Sequence, residues 1–196
     1  MNKSAVVIPY SPRPVQAQIH PQLESHRFCV LVTHRQLGKT VCAVNHLLKK
    51  ALQNPLPHAR YFYIAPFLKQ AKMIAWDYVK RYTAPLPDVT TNESELNVRL
   101  PNGARIWVCG ADNPDALRGT YADGVVLDEY AQIKPDVFTE IIRPMLVSRE
   151  GWAVFMGTPK GQNAFFELFN RAQKSALAEP AVWWTGVFRA DESGVI

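Results

Sequence analysis

The sequence has no apolar run that approaches the roughly 18 residues a membrane-spanning helix needs. Its N-terminal apolar stretch is also too short for a secretory signal peptide. The 3 cysteines (Cys29, Cys42 and Cys109) form no CxxC pair, and the 5 histidines show no HExxH or similar ligand spacing. These gaps argue against a membrane partner, a disulfide scaffold and a structural metal, and they predict reduced core cysteines in a cytosolic protein.

The composition is that of an ordinary globular chain. Of its 196 residues, 47% are hydrophobic and 20% are charged, which excludes intrinsic disorder and suits a single domain with a sizeable core. The net charge of +5 permits a nucleic-acid partner. Because no dense Lys/Arg run is present, the charge alone does not predict one.

Short apolar runs alternate with segments of helical periodicity. The predicted strands are 27–33, 61–65, 96–100, 105–109, 124–127, 152–156 and 182–188, and the predicted helices are 41–52, 66–81, 135–146 and 163–174. Asn102-Gly103 predicts a hairpin between the third and fourth strands. Residues 9–21 carry four prolines and are predicted to be extended. The alternation predicts an α/β domain with a mainly parallel sheet covered on both faces, where ligands bind at the carboxyl ends of the strands.

The first polar strand end is a candidate phosphate loop. Residues 33–40 read THRQLGKT between a predicted strand and a predicted helix, and they match GxxxxGK[ST] except that Thr33 takes the first Gly position. Backbone N–H groups and the helix N-terminus would hold phosphate oxygens, Lys39 would reach the β- and γ-phosphates, and Thr40 would ligate Mg²⁺. The pattern predicts a P-loop NTPase fold of the RecA/ASCE-like type. The alternative is a basic turn that caps a helix.

Two further strand ends carry candidate chemistry. GVVL at 124–127 is followed by Asp128, a candidate Mg²⁺ ligand, and by Glu129, a candidate for orienting the attacking water. WAVFM at 152–156 is followed by Gly157 and Thr158, where a hydroxyl could sense the γ-phosphate. Taken alone, the acidic pair could be a surface turn, and the Gly-Thr step could equally be a structural turn.

Together HRQLGKT, VVLDE and MGTPKG, in this order, resemble the large terminase subunit of tailed bacteriophages, the ATP-driven motor that packages viral DNA. The resemblance runs from about residue 10 to residue 196. It implies that Gln16, in YSPRPVQ at 10–16, bonds the adenine edge. It also implies that Arg35 is a cis arginine on the γ-phosphate, that Arg118, in ALRGT at 116–120, is an arginine finger reaching a neighbouring subunit, and that Gly157 and Thr158 couple hydrolysis to motion.

The resemblance also fixes the expected ligands and partners. The expected cofactors are ATP and Mg²⁺, and the expected nucleotide-binding residues are Gln16, Thr33, His34, Arg35, Gln36, Leu37, Gly38, Lys39 and Thr40. The expected partners are double-stranded DNA bound through its backbone, further copies of the chain in a pentameric ring, the portal and the small terminase subunit, in the host cytosol. Residues 1–26 are expected to form the lead-in and 189–196 the start of a lid, with no nuclease residues and hence no DNA cleavage.

Two alternatives stay open at this point. A helicase-like, nucleic-acid-dependent ATPase shares the phosphate loop and the Asp-Glu pair, although it should carry a second RecA-like domain that 196 residues do not hold. A nucleotide-binding fragment without turnover is the other alternative, because the sequence keeps its site residues but lacks the nuclease part of the family.

Overall fold

The chain forms an α/β domain around one eight-stranded sheet in a computed structural model that describes residues 7–189. The strand order is β3-β4-β5-β2-β6-β7-β1-β8. The strands are β1 (Phe28–Thr33), β2 (Arg60–Ala65), β3 (Thr90–Asn92), β4 (Asn97–Arg99), β5 (Arg105–Gly110), β6 (Gly124–Leu127), β7 (Trp152–Gly157) and β8 (Trp183–Phe188). Strand β8 pairs in parallel with β1, and the parallel pairing continues through β7, β6 and β2 to β5. The remaining two strands are antiparallel.

The helices lie on both faces of the sheet. They are α1 (Pro14–Ser25), α2 (Lys39–Gln53), α3 (Leu68–Ala71), α4 (Asp77–Thr83), α5 (Arg143–Val147) and α6 (Ala164–Ala178), with π-helical turns at Lys72–Trp76 and Val137–Ile142. Apolar side chains of α1 to α4 fill one core cluster, and those of α5 and α6 fill the cluster on the opposite face. The predicted three-layer sandwich with a mainly parallel sheet is therefore confirmed.

The predicted hairpin is confirmed at the antiparallel end of the sheet. Strands β4 and β5 pair with Val98 opposite Ile106, and Gly103 takes a φ of 85° in the turn. Glycine adopts this left-handed conformation at little cost. The sequence did not predict β3, a fully exposed strand of three residues with no apolar alternation.

The prediction that residues 9–21 are extended is wrong from Pro14 onward. Pro14 begins α1 instead, because its fixed φ suits the first turn of a helix and its missing N–H leaves no bond unmade there. Val15, Ile19 and Leu23 recur every four residues and are buried against the core. That spacing is typical of a helix, but the four prolines led to the prediction of an extended segment.

The predicted helix over 66–81 is interrupted. The chain runs from α3 through the π-helical turn Lys72–Trp76 into α4, which ends at Thr83. The π-helical turn buries Ala75 and Trp76 while Met73 is 74% exposed. Between residues 7 and 189, no helix combines the length and the apolar character that crossing a membrane requires.

Candidate active site

The predicted phosphate loop connects β1 to α2. Leu37 is fully buried and anchors the loop, whereas Arg35 and Gln36 are exposed. Gly38 has a φ of 84° and caps α2, a helix of 15 residues whose N-terminal N–H groups face the loop. The positive φ favours glycine, and a Cβ at Gly38 would lie 2.8 Å from the Gln16 side-chain nitrogen, so a larger residue would displace that amide.

Thr33 and His34 precede the turn of the loop. Thr33 ends β1 and is 1% exposed, and its hydroxyl has no hydrogen-bond partner in the described part of the chain. The backbone N–H of His34 donates to the Phe188 carbonyl at 3.2 Å, which ties the loop to β8. Since Thr33 is buried at a close-packed strand end, its small side chain fits where the motif has glycine.

Helix α1 contacts the phosphate loop through Gln16. This side chain is 2% exposed, and its amide nitrogen donates to the Gly38 carbonyl at 3.0 Å. Its amide oxygen accepts from the Arg13 backbone N–H at 2.9 Å, and the Tyr10 hydroxyl lies 3.4 Å away. The two predicted elements, the YSPRPVQ segment and the loop, are thus in direct contact.

Glu129 lies at the centre of the site. Its Oε1 is 2.6 Å from the Lys39 ammonium nitrogen, and its Oε2 accepts a hydrogen bond from the Thr158 hydroxyl at 3.2 Å. The backbone of Glu129 has a φ of 49°, a left-handed conformation that residues other than glycine rarely adopt. It follows β6, Lys39 follows β1, and Thr158 follows β7, which lies between β6 and β1. The three predicted strand ends therefore converge.

Asp128 is buried beneath this group, with 1% of its surface exposed. Its backbone N–H donates to the Ile64 carbonyl at 2.8 Å, which extends the pairing of β6 with β2 by one residue. Its Oδ1 accepts from the Glu129 N–H at 2.9 Å, and its Oδ2 accepts from the Tyr63 hydroxyl. Burial raises the pKa of Asp128, while the nearby Lys39 charge and the Tyr63 hydrogen bond oppose that rise.

Close packing holds the β7 end against β6. Gly157 is buried, and a Cβ there would lie 3.3 Å from the Phe165 ring and 3.6 Å from the Glu129 Cα. Asn163 caps α6, since its side chain accepts from the N–H groups of Phe165 and Phe166. This cap fixes the start of α6, the helix that follows Thr158.

Two predicted residues lie outside this group. Arg118 is 54% exposed and pairs with Asp115 at 2.5 Å and with Glu140 at 3.9 Å. Arg35 is exposed at the turn of the loop. Neither shares a hydrogen bond or an ion pair with Lys39 or Glu129 among the described residues. Tyr63, by contrast, lies in the site although no pattern in the sequence singled it out.

The residues present fit a Mg²⁺-bound nucleotide. A cavity of about 520 Å³ beside the loop is lined by Gly38, Lys39, Thr40, Met73 and Tyr78, among others. Thr40 and Asp128 would supply the oxygen ligands that Mg²⁺ prefers, and the N-terminus of α2 suits phosphate. A separate cavity of about 460 Å³ beside Trp107 contains none of the predicted phosphate-loop or acidic-pair residues.

Fold and site define a P-loop NTPase domain, with a phosphate loop between β1 and α2 and an acidic pair at the end of β6. A family model described as terminase large subunit, T4likevirus-type, N-terminal, matches residues 30–191. The chain belongs to this family, which confirms the resemblance drawn from the three motifs.

Individual relatives agree. The chain is 32% identical over 189 residues to the terminase large subunit of Thermus phage G20c and 28% identical over 150 residues to that of Escherichia phage T5. These matches cover 87% and 74% of this chain but only 38% and 33% of the relatives. The chain therefore spans little more than a third of the relatives it matches.

Solved structures show the same fold. The large terminase ATPase domain of Thermus phage P74-26 matches with a TM-score of 0.74 and 29% identity, over 93% of this chain and 82% of that one. The Hef helicase domain of Pyrococcus furiosus matches with a TM-score of 0.62 at 15% identity, over 94% of this chain and 39% of that one, which shows a shared fold alone. A large terminase from a thermophilic bacteriophage, 13% identical with a TM-score of 0.72, was solved in complex with ADP.

Proposed function

We propose that this chain binds and hydrolyses ATP with Mg²⁺ as the ATPase domain of a large terminase subunit. The observation that carries the proposal is the convergence of Lys39, Glu129 and Thr158 at three adjacent strand ends, beside a loop shaped for phosphate. Family membership and the likeness to the P74-26 ATPase domain support the same activity.

The side chains divide the work by position. Lys39 bonds Glu129 at 2.6 Å, and nucleotide phosphates would compete with that carboxylate for the ammonium group. Once released, Glu129 is free to orient the attacking water and accept its proton. Thr40 and Asp128 would hold Mg²⁺, which neutralises charge on the phosphates. Gln16, through its bond to Gly38, would bring the adenine-recognition segment to the loop.

Two arginines are proposed to complete the site. Arg35 is exposed on the loop, where its guanidinium can reach the γ-phosphate of the nucleotide bound to the same chain. Arg118 lies on the surface, where it would exchange its pairing with Asp115 for the nucleotide of a neighbouring copy. The proposed assembly is a ring of five copies that acts on the backbone of double-stranded DNA together with portal and small subunit. Thr158 would transmit the state of Glu129 to the chain that follows β7.

The test is the rate of ATP hydrolysis, with Mg²⁺, against protein concentration, with Glu129→Gln protein as the blank. A rate that rises faster than linearly supports a site completed by a neighbouring copy. A rate that rises linearly with protein concentration and exceeds the blank supports hydrolysis by each chain alone. It would make Arg35 the arginine that acts on the γ-phosphate and contradict the role of Arg118. A rate equal to the blank at all concentrations contradicts hydrolysis by this chain.

A further inference from the structure

Tyr63 contacts Asp128, one of the two side chains that are proposed to hold Mg²⁺. It lies in β2, two residues before the strand ends, and its side chain is fully buried. Its hydroxyl donates to Asp128 Oδ2. Burial raises the pKa of this hydroxyl, and the nearby Thr40 side chain opposes that rise. The phenol oxygen of Tyr63 is thus bonded to the acidic pair and lies near the phosphate loop.

Burying the Tyr63 hydroxyl costs free energy, and filling the core does not require a hydroxyl at this position. A buried tyrosine must find a hydrogen-bond partner, whereas phenylalanine would fill the same core volume without one. Tyr61, on the same face of β2, also satisfies its hydroxyl, but with Asn54 at 2.8 Å and the Lys50 carbonyl at 3.1 Å. The two tyrosines therefore share strand, face and burial, and only Tyr63 reaches the site.

The geometry of Asp128 shows what Tyr63 contributes. A carboxylate turns easily about its terminal torsion, which has broad, shallow preferences. Here one oxygen accepts from the Glu129 N–H at 2.9 Å and the other from Tyr63, so the plane of the carboxylate is fixed from both sides. Donors of this kind orient metal ligands, and their loss typically weakens metal affinity about 10- to 100-fold.

We propose that Tyr63 is a positioning residue for the Mg²⁺ site, where its hydroxyl holds the Asp128 carboxylate in the orientation that accepts the ion. The inference rests on the proposed function, because it takes Thr40 and Asp128 as the metal ligands. It assigns Tyr63 no contact with nucleotide. Its loss should therefore alter the response to Mg²⁺ and leave metal-free nucleotide binding unchanged.

The experiment compares Tyr63→Phe with Tyr61→Phe as the matched control. Binding of a fluorescent ATP analogue is titrated with Mg²⁺, and its affinity is measured separately in EDTA. For Tyr63→Phe the Mg²⁺ concentration at half-maximal effect should rise about tenfold, with the EDTA affinity unchanged. Tyr61→Phe should match wild type in both measurements, and circular dichroism checks that both variants fold.

Each other outcome overturns the inference. An unchanged Mg²⁺ midpoint in folded Tyr63→Phe protein overturns this inference but not the proposed function. An equal loss of nucleotide affinity with and without Mg²⁺ would mean a packing defect, and it also overturns only this inference. A wild-type chain whose nucleotide binding ignores Mg²⁺ overturns the proposed function as well.

A second measurement covers the case in which Tyr63→Phe fails to fold. With 3-fluorotyrosine placed at position 63, Mg²⁺ added to the nucleotide-bound protein should shift the ¹⁹F resonance. A resonance that Mg²⁺ leaves in place overturns the inference.

Discussion

The side-chain nitrogen of Gln16 donates to the carbonyl oxygen of Gly38 at 3.0 Å, so a residue of α1 holds the phosphate loop at the point where α2 begins. The same amide accepts from the Arg13 N–H at 2.9 Å. Because both ends of the amide are engaged and buried, α1 and the loop form one unit. A substitution in α1 should therefore change the affinity of the phosphate loop for nucleotide.

Gln16→Ala should loosen this unit. The change removes the bonds of the amide to the Gly38 carbonyl and the Arg13 N–H, although the carbonyl keeps the Cys42 N–H at 3.1 Å. At about 0.5–1.5 kcal/mol for each bond, we expect a loss of about 1–3 kcal/mol of unfolding free energy. ATP affinity should fall too, because the phosphate loop loses the side chain that ties it to α1. Gln18→Ala, an exposed change two residues along α1, is the control. Urea unfolding and nucleotide titration measure both effects, and equal behaviour of the two variants would contradict the prediction.

Lys39→Ala should weaken ATP binding. The ammonium group makes charge-assisted hydrogen bonds, worth about 1.5–3 kcal/mol each, so we expect a loss of about 10- to 100-fold. Isothermal titration calorimetry gives the affinity directly. Lys174→Ala removes an exposed lysine from α6 and should bind like wild type. Wild-type affinity in Lys39→Ala protein would remove the phosphate-loop assignment.

Glu129→Gln should separate binding from hydrolysis. The amide keeps the size of the side chain but cannot accept the proton of the attacking water, so the hydrolysis rate should fall about 100-fold or more. ATP binding should be kept, because Lys39 is then free for phosphate. Glu167→Gln, an exposed change on α6, is the control. Phosphate release and nucleotide affinity are measured on the same samples, and full turnover would show that another residue orients the water.

Arg118→Ala should be inactive alone, yet restore activity when mixed with Glu129→Gln protein. In a mixed ring, an Arg118→Ala copy keeps Glu129 and receives Arg118 from its neighbour. The mixed rate is compared with the summed rates of the separate proteins. Arg171→Ala, an exposed change on α6, should be active by itself. A mixed rate no higher than that sum, under conditions where rings form, would count against a finger acting in trans.

Acid should destabilise the fold through buried histidines. His46 is fully buried, and neither ring nitrogen has a hydrogen-bond partner in the described region. Burial lowers the pKa of His46 well below 6.5 and, less strongly, the pKa of His20, while Glu24 opposes the shift of His20. Since the unfolded chain binds these protons first, stability is full above about pH 6.5 and falls as the pH drops below it.

His46 alone should contribute a slope of about 1.4 kcal/mol per pH unit, because its pKa in the folded chain lies well below 6.5. Urea unfolding at pH 7.5, 6.5 and 5.5 measures it. His46→Leu, which replaces a buried ring by an apolar side chain, should flatten the acid slope, whereas His58→Asn on the exposed surface should not. An unchanged slope in His46→Leu protein would contradict the assignment.

The sequence by itself determined the sheet and the places to look for a site. Strand β6 was predicted to the residue, and β1, β2 and β7 to within one residue, because runs buried on both faces carry a strong apolar signal. The order strand, polar turn, helix also located Lys39, Glu129 and Thr158, since parallel strands put their carboxyl ends on one edge. Helix α1 was missed because its prolines outweighed its apolar spacing.

Only the tertiary structure decided which side chains meet. Lys39 and Glu129 are 90 residues apart in the sequence, yet their side chains lie 2.6 Å apart because β7 fits between β6 and β1. The sequence of a strand does not indicate its place in the strand order. Tyr63 and Tyr61 look alike in the sequence, yet only the register of β2 against β6 places one hydroxyl on Asp128. Periodicity reports which face is buried, whereas a contact between distant residues depends on how the whole chain packs.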